Sequence, residues 1–286
     1  MKEQAEKVTF INARGQEIIL TNGFPYILES VEGKGDVQAI VQTITAPYQD
    51  GNTHLDTLLE PRPIVLTLGI VEDSRDELSA SRRRLSRIFN PKLGEGKLIY
   101  ENGSLVREIN ASVEGVPIFP TGDGCGKWWQ RSTINLIAHD PFWRSPYYIE
   151  KPMAAFVPLF SFPLGSPFQV GTEGHTRTFE NTGDVAAPIN IKINGPTTNP
   201  TLTNATTGEF MRVKCELTAN DTLEINTANN NNKYIRLNGA NAFHLIDLAS
   251  TFWKLDIGEN KVQYTADDGT ESATLEIRWQ ERFVGI

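Results

Sequence analysis

The stretch His139-Asp-Pro-Phe-Trp-Arg-Ser-Pro146 decides how this chain is divided. Ahead of it runs Trp128-Trp-Gln-Arg-Ser-Thr-Ile-Asn-Leu-Ile-Ala138. Ile134, Leu136 and Ala138 fall on one face of an extended chain, and Thr133, Asn135 and Ile137 on the other, the pattern of a strand. Pro141 and Pro146 stop it, because each lacks an N–H and restricts the residue before it. Residues 149–174 then show no clean period and carry Pro152, Pro158, Pro163 and Pro167, with Gly165, Gly171 and Gly174 among them. A proline-spaced, partly apolar stretch between two strand-rich halves reads as a domain junction. The sequence therefore predicts an N-terminal domain over 1–146, a linker over 147–174 and a C-terminal domain over 175–286.

A length of 286 residues fits two domains. The net charge of -8 is split evenly: residues 1–150 hold 16 Lys+Arg against 20 Asp+Glu, and residues 151–286 hold 11 against 15. Neither half offers the positive footprint that stable nucleic-acid binding needs. The two cysteines, Cys125 and Cys215, fall one in each predicted domain, so free thiols and synthesis in a reducing compartment are expected. The charged opening Met1-Lys-Glu-Gln-Ala-Glu-Lys7 is not expected to be a signal peptide, and no apolar window is long enough to suggest membrane insertion.

In the first half, Val8-Thr-Phe-Ile-Asn12 and Gln16-Glu-Ile-Ile-Leu20 read as short strands around a Gly15 turn. Residues 36–45 and Arg62-Pro-Ile-Val-Leu-Thr-Leu-Gly-Ile-Val71 read as further strands, with Tyr48-Gln-Asp-Gly51 turning between them. Ser74-Arg-Asp-Glu77 is a capping box that opens the one convincing helix, 74–89. Leu78, Leu85, Ile88 and Phe89 form its apolar face, and Asn90-Pro91 ends it. Arg82, Arg83, Arg84 and Arg87 near its end suit the helix dipole and read as a solvated face. Asn102-Gly103 marks a hairpin, and 113–119 is expected to continue the sheet. The second half is almost helix-free. Its short strands, separated by turns such as Asn194-Gly-Pro196, Asn238-Gly239 and Asp267-Asp-Gly269, predict a β-sandwich. The fold class expected is mainly β, with one α-helix in a barrel-like or sandwich-like first domain.

No catalytic, cofactor-binding or metal site emerges. His54, His139, His175 and His244 are not spaced as ligands. There is no nucleophile elbow, and the sequence nominates no particular carboxylate pair. The glycine-rich loop Thr121-Gly-Asp-Gly-Cys-Gly126 precedes a strand rather than a helix, which argues against a phosphate cradle. Asp256-Ile-Gly-Glu-Asn260 and Asp267-Asp-Gly269 lack the twelve-residue calcium pattern and read as turns. Trp253 and Trp279 read as core residues rather than sugar-stacking platforms.

The order of the pieces resembles the distal tail (Dit) proteins of long-tailed bacteriophages, the siphophage tail-component family. Phe10-Ile-Asn to Leu20 comes first, then Arg62-Pro-Ile-Val-Leu-Thr-Leu, the helix, Asn90-Pro91, Leu98-Ile-Tyr, Arg107-Glu-Ile and the Ile137-Ala-His-Asp-Pro-Phe-Trp143 corner. In the second half, Asn181-Thr-Gly-Asp, Pro188-Ile-Asn-Ile-Lys-Ile-Asn-Gly195, Asn199-Pro-Thr-Leu-Thr-Asn204, Asp221-Thr-Leu-Glu-Ile-Asn-Thr227, Leu255-Asp-Ile-Gly-Glu-Asn260 and Ile277-Arg-Trp resemble the family's galectin-like or carbohydrate-module-like sandwich. The long apolar stretch after residue 152 departs from a simple junction.

The resemblance implies a non-enzymatic structural hub without cofactors: a homohexameric ring closed by the N-terminal domain at the tail tip. Its implied partners are the tail tube protein, the tape measure protein, a tail-associated lysin or fibre, and receptor-binding proteins. DNA would pass through the lumen without stable binding. The location implied is the virion, after synthesis in the host cytoplasm. The alternative is a carbohydrate-binding or glycan-degrading β-sandwich protein, although Trp279-Gln-Glu-Arg282 does not reproduce the galectin spacing.

Overall fold

The structure, a computed structural model, describes residues 6–153, 176–228, 232–270 and 272–286. It separates into two compact units, one of residues up to Pro146 together with Phe283–Ile286, the other Tyr147–Arg282.

The first unit is built on a sheet with strands β1 (Lys7–Ile11), β2 (Glu17–Leu20), β3 (Tyr26–Glu32), β6 (Arg62–Val71), β7 (Glu95–Asn102), β8 (Leu105–Val113) and β9 (Trp129–Ala138) in the order β2-β1-β7-β8-β9-β6-β3. Between β3 and β6 lie β4 (Ala39–Ile44) and β5 (Thr53–Leu59), which form a separate two-stranded sheet. The ends of the main path meet at a parallel bridge, Thr21↔Ile27, so the sheet curls toward a barrel. Alternation drives this arrangement. Ile64, Leu66, Leu68 and Ile70 of β6 are fully buried, and so are Ile134, Leu136 and Ala138 of β9, in a register that pairs Ile64 with Leu136 and Leu66 with Ile134.

The helix α1 (Arg75–Ile88) begins at Ser74, whose Oγ accepts from the Glu77 N–H at 3.2 Å while its hydroxyl donates to the Glu77 carboxylate at 2.9 Å. Leu78, Leu85, Ile88 and Phe89 are buried against the sheet core, and Phe89 stacks on Phe10 with ring centroids 4.5 Å apart. Asn102-Gly103 turns the β7–β8 hairpin, with Gly103 at φ +63°. The sheet does not continue over 113–119 as expected: β8 ends at Val113, and from there to Phe119 only Ile118 bridges, to Thr133.

In the second unit, β11 (Ile149–Met153) and β12 (Thr176–Asn181) precede β13 (Ile189–Asn194), β14 (Thr197–Thr198), β15 (Thr201–Asn204), β16 (Glu209–Arg212), β17 (Glu216–Leu217), β18 (Thr222–Asn226), β19 (Tyr234–Leu237), β20 (Ala240–Asn241), β21 (Gly258–Thr265) and β22 (Thr274–Trp279). One sheet has the order β11-β22-β13-β18-β19-β20 and the other β12-β21-β15-β16. Ile189, Ile191 and Ile193 alternate inward with Leu275, Ile277 and Trp279, and Phe179 of the other sheet meets Trp279 edge-on at 5.8 Å. One core shared by two antiparallel sheets is a β-sandwich.

Two boundaries differ from the sequence expectation. Ile149–Met153, expected within a linker, is strand β11, antiparallel to β22. Its burial alternates, but the sequence hides this because Lys151, lying over the Trp279 ring, takes the position between Ile149 and Met153 on the more buried face. Pro152, which cannot donate to a ladder, is tolerated on this edge strand. The remainder of the expected linker, from residue 154, lies outside the described residues, as does His175. At the other end, Phe283–Ile286 belongs to the first unit, with β10 (Trp143–Arg144) and β23 (Arg282–Phe283) joining its sheet.

Candidate assembly surface

The feature that stands apart is the β4–β5 hairpin. It leaves the sheet after β3 at Gly33, which sits at φ +86°. A Cβ there would strike the Pro63 carbonyl oxygen and lie 3.1 Å from the Ile64 Cα, so this root needs glycine. Arg62, on the return strand, is completely buried. Its Nε donates to the Pro141 carbonyl at 2.7 Å, one terminal nitrogen to the Gly33 carbonyl at 2.9 Å, and the other to the Val284 carbonyl. Burial pushes this guanidinium below its ordinary range, and Asp36 pulls the other way. Close by, Lys34 and the Tyr100 hydroxyl both donate to Glu6 Oε1, at 2.9 and 2.7 Å. Those donors hold the Glu6 carboxyl below the usual carboxylate range. The hairpin thus projects from a rigid base.

Within the hairpin, Gln42 pairs with Asp56 and Thr43 with His54, so Leu55 is the extra residue of a bulge. At the tip, the Gln49 side chain accepts from the Ala46 N–H at 3.0 Å and donates to the Thr53 hydroxyl at 2.9 Å. That closure sets Tyr48 at φ +65° with its ring wholly in solvent. Among the described residues, β4 and β5 pair only with each other. Both faces are open: Ile40, Val41, Ile44, Leu55 and Leu58 are 47–60% exposed. A two-stranded ribbon is marginal in water without a packed face, and contiguous exposed apolar side chains mark interaction surfaces. Residues 36–60 contain four acids, Asp36, Asp50, Asp56 and Glu60, and no lysine or arginine.

A shallow groove of about 310 Å³ opens elsewhere on the unit, lined by Glu17, Ile18, Ile19, Pro25, Tyr26 and Arg84. The Tyr26 hydroxyl donates to the Ser81 carbonyl of α1 at 3.1 Å and so fixes the groove wall beneath the helix. Ile19 and Phe24 are exposed beside it. Val116, Ile118, Trp128 and Trp129 are also exposed.

The residues singled out from sequence fall as follows. Arg82 lies over the Phe119 ring at 4.7 Å, while Arg83, Arg84 and Arg87 face solvent. His54 is on β5, 2.8 Å from the Thr57 hydroxyl, and His139 and His244 are exposed. Cys125 and Cys215 are free. Trp253 and Trp279 are buried in the second unit's core and present no stacking surface. Asn260 is fully buried: it accepts from the Asp256 N–H at 2.9 Å and donates to the Asp256 and Gly258 carbonyls, which makes 256–260 a self-closed turn. Gln130 donates to the Pro120 and Gly124 carbonyls and clamps the glycine-rich loop as a structural turn. The strand expected over 36–45 is β4, exposed on both faces, and β5 was not expected from the sequence. Its available signal was a run of 25 residues with many aliphatics and no cation.

Two family models match the chain in order: the phage tail protein RIFT-related domain over residues 13–137, and the C-terminal domain of the siphovirus-type tail component over residues 182–283. No curated protein matches it in sequence. Among solved structures, the Dit protein (gp 19.1) of phage SPP1, described as a paradigm of the hub adsorption apparatus in phages that infect Gram-positive bacteria, is 14% identical. It is matched over 96% of this chain and 99% of its own, with a TM-score of 0.70. Chains of the phage P2 baseplate in its activated conformation are also similar in fold. With Ca the identity is 11%, the coverage 97% of each chain and the TM-score 0.52; with Sr the values are 10%, 96% and 97%, and 0.51. With its two domains matched in sequence order and its fold shared almost end to end, this chain belongs to the siphovirus-type tail component family, the distal tail proteins of long-tailed bacteriophages.

Proposed function

We propose that the chain closes a homohexameric ring at the tip of the phage tail, a hub that joins the tail tube to the baseplate or receptor-binding apparatus. The observation that supports ring closure by the first unit is the β4–β5 hairpin, open on both faces and apolar on both. Such an element gains stability only from a neighbour, and in a closed assembly every copy supplies one. In this reading the tail tube and tape measure proteins meet the ring, and the second unit carries the lysin or fibre and the receptor-binding proteins. Residues 1–150, with 16 cations against 20 acids, would give a lumen that lets DNA slide past. The protein acts without turnover and is made in the host cytoplasm before entering the virion.

Native mass of the full-length protein over a range of concentrations tests this. A species of about six chains is expected. Replacing residues 38–60 by a short glycine-serine turn should leave a folded monomer. A wild-type chain that stays monomeric even at high concentration and on assembled tails would sink the reading.

A further inference from the structure

The groove beside β2 carries features opposite to those of the hairpin. We propose that the β4–β5 hairpin of one copy seats in the Ile19–Pro25–Arg84 groove of the next copy. The inference rests on the ring reading and names its interface.

Three observations carry it. The first is charge. The hairpin segment 36–60 has acids and no lysine or arginine, whereas α1 presents Arg83, Arg84 and Arg87 to solvent, and Arg84 is part of the groove wall. Glu17 is the one acid among the groove's lining residues. Arg84 and Arg87, three apart on the helix, share a face and make a two-pronged site for Asp50 or Asp56.

The second is apolar surface. Ile19 and Phe24 are 48% and 77% exposed beside the groove, matching the aliphatic residues of the hairpin. Tyr48 at the hairpin tip is a projecting aromatic, the residue type that most often anchors interfaces. The third is backbone. β2 pairs with β1 alone among the described residues, apart from the single bridge just beyond its end at Thr21. Its outer edge over Glu17–Leu20 is therefore open to an added strand, and each hairpin strand also has an open edge.

The geometry also makes the contact head-to-tail. The groove lies at the start of β3, at Pro25 and Tyr26, and the hairpin departs beyond the end of β3, after Glu32. Seven residues of strand put these features roughly 20 Å apart. Two different patches that complement each other generate a ring when the rotation closes.

Disulfide trapping in the full-length chain tests the pairing. In a Cys125→Ser, Cys215→Ser background, Ile19→Cys is combined in turn with Val41→Cys, Tyr48→Cys or Leu58→Cys. The expected result is an oxidised ladder rising to about six chains for at least one pair, and none for Ile19→Cys alone. Mixing the two single-cysteine proteins should give covalent dimers only. As an independent arm, Arg84→Glu should raise the concentration needed for assembly at least tenfold, with the melting temperature unchanged at a dilution where the wild type is also unassembled. If the wild-type protein forms rings yet no pair cross-links and Arg84→Glu assembles normally, the groove is not the acceptor and the ring reading survives. If no ring forms at all, the ring reading falls and this inference with it.

Discussion

Arg62 shows how one side chain can tie together distant parts of a chain. It holds the Gly33 carbonyl at the hairpin root, the Pro141 carbonyl at the domain corner and the Val284 carbonyl near the C-terminus. Nothing in the sequence singled it out, because arginine is rarely buried and the residue reads as the polar start of a strand. The corner that it binds was legible in part: β9 ends at Ala138, ahead of Pro141, but the short strand β10 forms before Pro146. Arg62→Lys keeps the charge but cannot reach three carbonyls with a planar fork. Losing charge-assisted hydrogen bonds and stranding buried acceptors should cost about 3 kcal/mol, read as a lower denaturant midpoint with an unchanged slope. An unchanged midpoint would mean that these carbonyls find other donors.

Whole elements were legible wherever burial imposed a clean period. Helix α1 was readable because its cap, its apolar face and its stop signal all agree, and Leu85 is fully buried as that face requires. Leu85→Ala should therefore destabilise the protein by roughly 2–5 kcal/mol, measured by thermal or denaturant unfolding. A shift of a few tenths would show that the site collapses around the smaller side chain. Strand β3 was illegible for a local reason. A register shift between Leu28 and Ser30 moves the buried set from Tyr26 and Leu28 to Val31, which breaks the two-residue period. Strand β5 was illegible because both of its faces are exposed. No face of the hairpin is buried within its own chain, so Thr53–Leu59 carries no alternation for a single-sequence reading to find. The exposure that hides β5 from a sequence reading is the same property on which the proposed assembly surface rests.

At the level of the molecule, the chain passes between its two units twice, at 146/147 and again at 282/283, because Phe283–Ile286 belongs with the first unit. Arg107 lies 3.7 Å over the Phe283 ring, Val284 accepts from Arg62, and the Ile286 N–H donates to the Lys34 carbonyl at 3.1 Å. Two domains joined only by a linker over 147–174, as the sequence predicts, would be separable by a single cut there; four terminal residues carry too little pattern to assign. The connectivity predicts otherwise. A protease site introduced near residue 162 would divide the chain into a piece with the first unit plus β11 and a piece with the rest of the second unit plus the C-terminus. Each piece then holds something that the other lacks: β11 pairs with β22, and 283–286 completes the first unit. The cut protein should therefore stay together on a native column and part only in denaturant, and two separately eluting folded pieces would refute this. Deleting residues 283–286 isolates the second contribution. It removes the Val284 acceptor from a buried guanidinium and the ring from Arg107, and a stranded buried donor alone costs about 1–3 kcal/mol. The first unit should then melt earlier while the second, whose sandwich core lies entirely between Tyr147 and Arg282, keeps its own transition. A loss of stability spread equally over both transitions would show that the terminal residues act on the whole chain rather than on the unit that they complete.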